Sequence, residues 1–127
     1  FAAVKALLSA LVTKHLDELI KRDSWYAKKG YTVSTHSMNG IALDLADLGY
    51  KDLIFLVNVA LHLHSYQNNG FDPDFSKYKT KGEVLYDVNV VAEAVLNSLK
   101  KWFSEYWDER LETLYNVTLS DLEKLKR

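Results

Sequence analysis

Residues 58–70 read NVALHLHSYQNNG and follow the apolar run DLIFLV at positions 52–57. The combined segment is about 17 residues long and carries no turn signal before Gly70. That length favours a helix over a buried strand, although the run is β-branched in places. Because the segment is apolar almost all round at its start, the pattern predicts a central helix that ends at Gly70, with the rest of the chain packed around it.

The polar side chains of this segment follow helical spacing. Asn58, His62, Tyr66 and Asn69 are separated by steps of four, four and three, so they lie along one side of a helix. His62 and His64 are two residues apart, which is about 200° around a helix, so they diverge and do not pair on a metal. We predict that Asn58, His62, Tyr66 and Asn69 form a ligand-binding line. His64 lies beside this line, and His62 is the candidate acid or base. The alternative is a hydrogen-bonded ladder inside the fold or at an interface.

The two remaining histidines have different surroundings. His36 comes just before a predicted helix, and a helix N-terminus opposes the positive charge of a histidine. We include His36 in the predicted ligand site as a neutral hydrogen-bonding group, with an ordinary surface histidine as the alternative. His15 lies on the apolar stripe of the first helix and is predicted to be a core or interface histidine.

The remaining apolar residues recur at helical spacing and predict an all-α fold, an antiparallel up-and-down bundle of four to five helices. In chain order, we predict a helix over residues 1–22, an aromatic connector over 23–34, and a helix that has Ser34 or Thr35 as its N-cap and ends at Gly49. The central helix follows, and then a loop over 70–81 pinned by Phe71, Phe75 and Tyr78. From about residue 82 we predict a long helix that either breaks near 104–108 or packs its end on a partner, and a second break at 117–121 before a short last helix.

Two clusters in the first half of the chain carry charge. Lys28 and Lys29 lie close to Trp25 and Tyr26 in the sequence, and surfaces that bind nucleic acids combine basic and aromatic residues in this way. Two lysines are a weak electrostatic signal, so we favour a packed connector. Asp44 and Asp47 are three residues apart and share a helix face. Such a pair can hold a cation or divide acid and base roles, yet an exposed acidic face is the commoner arrangement.

The amino-acid composition excludes several classes of protein. A chain of 127 residues favours one domain over residues 1–127, and only five glycines and one proline leave few turns for an all-β fold. The formal charge of −1 excludes a bulk nucleic-acid binder, and the lack of cysteine excludes disulfides and thiolate chemistry. We predict no cofactor, no metal, no membrane span and a cytoplasmic protein. Because the chain opens inside a helix without a methionine, we expect that part of its N-terminal helix region is missing.

Together these stretches resemble the HEPN superfamily of helical bundles. The resemblance lies in AAVKALL at 2–8, THSMNGIALDLADLG at 35–49, the histidine stretch and the long helix after it. The pattern Leu61-His62-x-x-x-Tyr66 is most similar to the archaeal PaREP family, whose typical stretch reads LHxNFYE, with departures at His64 and at the two positions that flank Tyr66. The resemblance implies a homodimer with its polar motif near the dimer cleft, and a nucleotidyltransferase-type partner protein.

Many proteins of that superfamily are ribonucleases, which carry an arginine, then four to six intervening residues, then a histidine, often with an asparagine directly after the arginine. Asn58 and His62 match that pattern, but Val57 stands where the arginine belongs. A valine cannot supply the fixed positive charge on a phosphate. We therefore predict an interaction module that binds nucleotide or RNA without clear catalysis. The alternatives are a metal-independent ribonuclease or toxin–antitoxin component that uses His62, and a purely structural dimerisation domain.

Overall fold

The structure is a computed structural model that describes residues 1–29, 33–70 and 78–125. Those residues are helical and contain no strand, which confirms the predicted all-α class. They form seven α-helices where four to five were predicted. The helices are α1 (Ala2–Lys14), α2 (Leu16–Arg22), α3 (Trp25–Lys29), α4 (Met38–Asp47), α5 (Asp52–Asn69), α6 (Lys81–Trp102) and α7 (Glu109–Leu125), with short 3₁₀ turns at Thr35–Ser37 and Ser104–Tyr106.

The first predicted helix is divided in two at His15. This residue leaves helical geometry (φ −113°, ψ 21°), although its N–H still donates to the Leu11 carbonyl at 3.0 Å. Its ring makes a hydrogen bond with the hydroxyl of Tyr50, with 2.6 Å between Nε2 and Oη. That contact joins residues 35 positions apart in the chain. The apolar periodicity of residues 1–22 does not encode it, so the sequence predicted one helix.

The aromatic connector contains a short helix, α3. The backbone N–H of Trp25 donates to the Asp23 carboxylate at 2.9 Å, which supplies a cap at the start of the helix. Tyr26 is 1% exposed, so the prediction that the aromatic side chains of this segment fold back onto the core is confirmed for this residue. Tyr31 lies outside the described residues.

The ends of α4 and α5 follow the predicted caps. At the start of the 3₁₀ turn before α4, the Ser34 N–H donates to Ser37 Oγ at 3.1 Å. After α4, Gly49 has φ +114° and its N–H donates to the Ala46 carbonyl, while the N–H of Tyr50 donates to the Leu45 carbonyl. These two bonds form a Schellman motif, which favours glycine at the left-handed position. Gly70 likewise has φ +58° after α5, so the predicted end of the central helix is confirmed.

The long helical pattern in the second half of the chain breaks where it was predicted to break. Helix α6 ends at Trp102 and α7 begins at Glu109. The second predicted break, at 117–121, is wrong because α7 runs through it to Leu125. Within α7 the Thr118 hydroxyl donates to the carbonyl of Leu114 at 2.8 Å, a bond that a threonine inside a helix can make to the preceding turn.

The chain forms two compact units, Phe1–Asn58 (unit 1) and Val59–Arg127 (unit 2). Within unit 1, α1 packs against α4 and α2 against α3; within unit 2, α6 packs against α7. No helix in the described ranges is long and apolar enough to cross a membrane. The fully buried side chains of unit 1 include Val4, Leu8, Leu11, Val12, Leu19, Met38 and Leu45, and the buried residues of unit 2 include Val59, Ala60, Tyr78, Val84, Val91, Val95 and Leu122.

Candidate functional site

The start of α6 is fixed by a capping box. Thr80 Oγ1 accepts from the Glu83 N–H at 3.3 Å, and the Glu83 carboxylate accepts from the Thr80 N–H at 2.7 Å and from the Lys79 N–H at 2.9 Å. Desolvation raises the pKa of Glu83, but the hydrogen bonds from Thr80 and Lys79 together outweigh it and the pKa is lowered. This carboxylate therefore occupies the anion-binding end of its own helix.

A tyrosine–carboxylate pair lies beside that helix start. Tyr78 is 7% exposed, and its hydroxyl donates to Asp87 Oδ2 at 2.6 Å. Its ring meets the ring of Tyr66 edge to face, with centroids 5.9 Å apart. Burial, and then the hydrogen bond and charge of Asp87, raise the pKa of Tyr78 above its ordinary value. The hydroxyl therefore stays protonated and acts as a donor at neutral pH.

His62 stands at the edge of an open groove of about 730 Å³ at this end of α6. Its side chain is exposed on α5 and faces two carboxylates and two tyrosines across the groove. Among the described residues the lining contains no lysine or arginine. We call this the His62 groove, and its lining residues are His62, Tyr78, Thr80, Gly82, Glu83, Tyr86 and Asp87.

A second groove of about 640 Å³ continues along α6 and shares Gly82 and Tyr86 with the His62 groove. Tyr86 is 70% exposed where the two meet. Asn89 also lines this second groove, is 7% exposed, and donates to the Leu85 carbonyl at 3.0 Å. Its carboxamide oxygen is buried without a hydrogen-bond partner. Tyr86 is thus the exposed aromatic surface at the junction of the two grooves.

The structure places the predicted line of polar residues along α5, with different surroundings for each member. Asn58 is exposed and is the last residue of unit 1. In unit 2, His62 is exposed in its groove, and Tyr66 is half-buried against Tyr78. His64 is half-buried on another side of α5, and the side chain of Asn69 lies outside the described part of the structure. Within unit 2, His62 therefore lines the groove directly, whereas Tyr66 adjoins the groove through its contact with Tyr78.

Most of the residues that line the His62 groove were not predicted from the sequence. Tyr78 was predicted only as an apolar anchor of a loop, and Glu83, Tyr86 and Asp87 were not singled out. One signal was present, because Thr80-x-x-Glu83 has the spacing of a capping box and marks a helix start. Nothing in the sequence pairs Tyr78 with Asp87, since they meet only after the helix start is in place.

His36 belongs to unit 1 and lines a separate groove of about 510 Å³. Tyr26 forms part of this wall and its hydroxyl donates to Asp44 Oδ2 at 2.5 Å. Arg22 donates to Asp47 at 2.9 Å. The two aspartates that share a face of α4 are therefore held by different partners, and only Asp44 lines the groove. We call this the Trp25 groove, and its lining residues are Asp23, Trp25, Tyr26, Ser34, His36, Ser37, Gly40, Ile41 and Asp44.

His15 has a structural role. Its side chain is 19% exposed, its Nε2 bonds with Tyr50, and its Nδ1 lies 3.3 Å from the Glu18 carboxylate. The two rings are tilted at 60° with centroids 5.3 Å apart. Both ring nitrogens are thus engaged within unit 1, in agreement with the prediction of a packed histidine.

Comparison with known proteins identifies one family. Residues 1–89 match the model of the archaeal PaREP1/PaREP8 family. That span includes every described lining residue of the His62 groove and of the Trp25 groove. No curated protein and no solved structure matches the chain.

Proposed function

Since the chain belongs to the archaeal PaREP1/PaREP8 family, we propose that it is a binding and interaction module of the HEPN type that does not catalyse a reaction. Its site in this proposal is the His62 groove. Two polar residues of α5 in unit 2, His62 and Tyr66, supply one edge. Helix α6 supplies the other edge.

The charge of the His62 groove is the observation that carries this proposal. The groove holds the Glu83 and Asp87 carboxylates, and no lysine or arginine is among its described lining residues. Metal-independent cleavage of a phosphodiester needs positive charge to stabilise the transition state on phosphorus. His62 can exchange a proton, but no lysine or arginine among the described lining residues is placed to stabilise that transition state. The groove is therefore better suited to binding than to cutting.

The ligand that we propose is single-stranded RNA or a nucleotide, recognised through its base. Glu83 accepts from the N–H groups of Lys79 and Thr80 just ahead of α6, so a carboxylate already stands at the helix end that a phosphate would approach. The exposed ring of Tyr86 offers a face for a base, and such stacking contributes about 1–3 kcal/mol per base. His62 can hydrogen-bond a base edge from the opposite wall.

We also propose that the protein acts as a homodimer and with a nucleotidyltransferase-type partner, as its resemblance to HEPN proteins implies. Exposed apolar side chains support an interface on unit 1. Leu43 is 56% exposed on α4, and Ile54 and Phe55 are 41% and 58% exposed on α5. Apolar surface of this kind is buried in the centre of stable interfaces.

The site is tested by titrating the protein into fluorescently labelled single-stranded RNA and into labelled ATP, with fluorescence anisotropy as the readout. We expect that Tyr86→Ala and His62→Ala each weaken binding about tenfold, the equivalent of one lost stacking or hydrogen-bonding contact. Tyr106→Ala is the matched control, because Tyr106 is 66% exposed in the same unit and outside the groove.

Equal losses of binding affinity in Tyr86→Ala and Tyr106→Ala would show that the His62 groove is not the binding site. The oligomeric state is measured on the same samples by sedimentation velocity. If neither ligand binds and His62→Ala lowers both the dimer fraction and the melting temperature, the purely structural dimerisation domain becomes the better account.

A further inference from the structure

We propose that the Trp25 groove of unit 1 binds a single cationic side chain, preferentially arginine, presented by a partner protein. This function is separate from that of the His62 groove and does not depend on it. The Trp25 groove has a volume of about 510 Å³, within the range of about 300–1,000 Å³ that ligand pockets occupy. Three features of its lining suit such a side chain: an aromatic wall, the charge of the carboxylates and the open space at Gly40.

Aromatic rings form one wall of the groove. Trp25 is half-buried and Tyr26 is 1% exposed, and their rings meet edge to face with centroids 5.0 Å apart. A guanidinium is attracted to the face of an aromatic ring, most strongly to tryptophan, and its planar shape allows it to stack there. Because both rings belong to the short helix α3 and Tyr26 is buried, this wall is formed before any ligand arrives.

The charge in and around the groove favours a cation. Asp23 and Asp44 line it, and no lysine or arginine is among the described lining residues. Each carboxylate uses one oxygen in a bond within the protein, Asp23 Oδ1 with the Trp25 N–H and Asp44 Oδ2 with the Tyr26 hydroxyl. The remaining oxygens suit the fork of N–H donors on a guanidinium.

The guanidinium of Arg22 lies close by but does not neutralise the groove. It donates to Asp47 Oδ2 at 2.9 Å and to the Asp44 backbone carbonyl at 3.3 Å. The described lining therefore holds two carboxylates and no lysine or arginine, and the nearby Arg22 side chain is engaged by Asp47.

Gly40, the third residue of α4, is an exposed lining residue of the groove. A Cβ built on Gly40 would meet no atom within 4 Å. A longer side chain at this position would therefore enter the groove without disturbing the packing beneath it. Gly40→Gln should fill the groove and also raise helix propensity, so it blocks binding without unfolding the protein.

The experiment is isothermal titration calorimetry of the full chain with hexa-arginine peptide, with hexa-glutamate peptide and single-stranded RNA as the competing probes. We expect hexa-arginine to bind and to shift the Trp25 indole N–H signal in a ¹H–¹⁵N spectrum. Asp23→Asn and Gly40→Gln should each weaken that binding about tenfold, the equivalent of one lost charge-assisted contact. Asp121→Asn, the same change of charge at an exposed site on α7, should leave it unchanged.

Two results would overturn the proposal. The first is a lack of cation selection by the groove. It would show either as no binding of hexa-arginine or as equal weakening of that binding by Asp23→Asn and Asp121→Asn. The second is binding of RNA that shifts the Trp25 signal and is blocked by Gly40→Gln, which would make the groove a nucleic-acid site. The Tyr86→Ala variant of the His62 groove should bind hexa-arginine normally, so the two proposed sites are tested independently of each other.

Discussion

At the scale of single residues, the contacts that shape the His62 groove join positions that the sequence gives no reason to pair. Tyr78 and Asp87 are nine residues apart, and their hydrogen bond forms only because the capping box starts α6 between them. Periodicity could place His62 on a helix, but it could not show which groups face it. The residues of α5 were therefore predictable, whereas those of the opposite wall were not.

The Tyr78–Asp87 hydrogen bond should contribute to stability. Tyr78→Phe removes the hydroxyl and leaves Asp87 without this donor, so we expect the free energy of unfolding to fall by about 1 kcal/mol. The measurement is urea unfolding followed by circular dichroism. Tyr106→Phe, which removes a hydroxyl from a residue that is 66% exposed, should change the free energy much less. Equal effects of the two changes would show that the bond adds nothing.

At the scale of helices, the periodic pattern located the elements and the caps located their ends. The end of α5 was predicted because Gly70 marks it, and a break after α6 was predicted because an unbroken helix of about 33 residues would be too long for a domain of this size. The division at His15 was missed because it accompanies a tertiary hydrogen bond to Tyr50. The extra break predicted in α7 was wrong, because the β-branched and capping residue types at 117–121 are only weak helix breakers and the helix continues through them to Leu125.

The packing of α6 against α7 should depend on pH through Glu112. This carboxylate accepts from Lys100 Nζ at 2.9 Å and from Trp107 Nε1 at 2.6 Å, and the hydrogen bonds from Lys100 and Trp107 lower its pKa below the ordinary value of 4.5. A group whose pKa is lowered by folding stabilises the fold fully above pH 4.5 and loses that contribution as the pH falls through the folded-state pKa.

We therefore expect the melting temperature to fall on acidification from pH 6 to pH 3, and Glu112→Gln to reduce the size of that fall. Thermal scans by circular dichroism across this range provide the measurement. Glu109→Gln is the matched control on the same helix, because Glu109 is exposed. The assignment to Glu112 is wrong if the two variants follow the same pH profile.

At the scale of the whole molecule, we propose that residues 1–127 act as one domain even though contacts divide them into two units. Helix α5 begins in unit 1 and ends in unit 2, and its hydrogen-bonded backbone is continuous across the division at Asn58. Melting either unit would leave half of α5 without packing. Cooperative unfolding of a single small domain is the expected consequence.

This proposal predicts that far-ultraviolet circular dichroism and tryptophan fluorescence report the same thermal midpoint. In the Trp25→Phe variant the remaining tryptophans, Trp102 and Trp107, both belong to unit 2, so fluorescence then follows that unit alone. A fluorescence transition of this variant that is separated from its circular dichroism transition would show two domains that unfold independently.

The central claim is that the His62 groove binds RNA without cutting it. The most direct measurement is a time course of end-labelled single-stranded RNA with the purified protein in the presence of EDTA, resolved in parallel on native and denaturing gels. We predict RNA that is retarded on the native gel and intact on the denaturing gel, with retardation reduced in His62→Ala. Shortened RNA produced by the native protein and not by His62→Ala would contradict the claim and make the protein a ribonuclease.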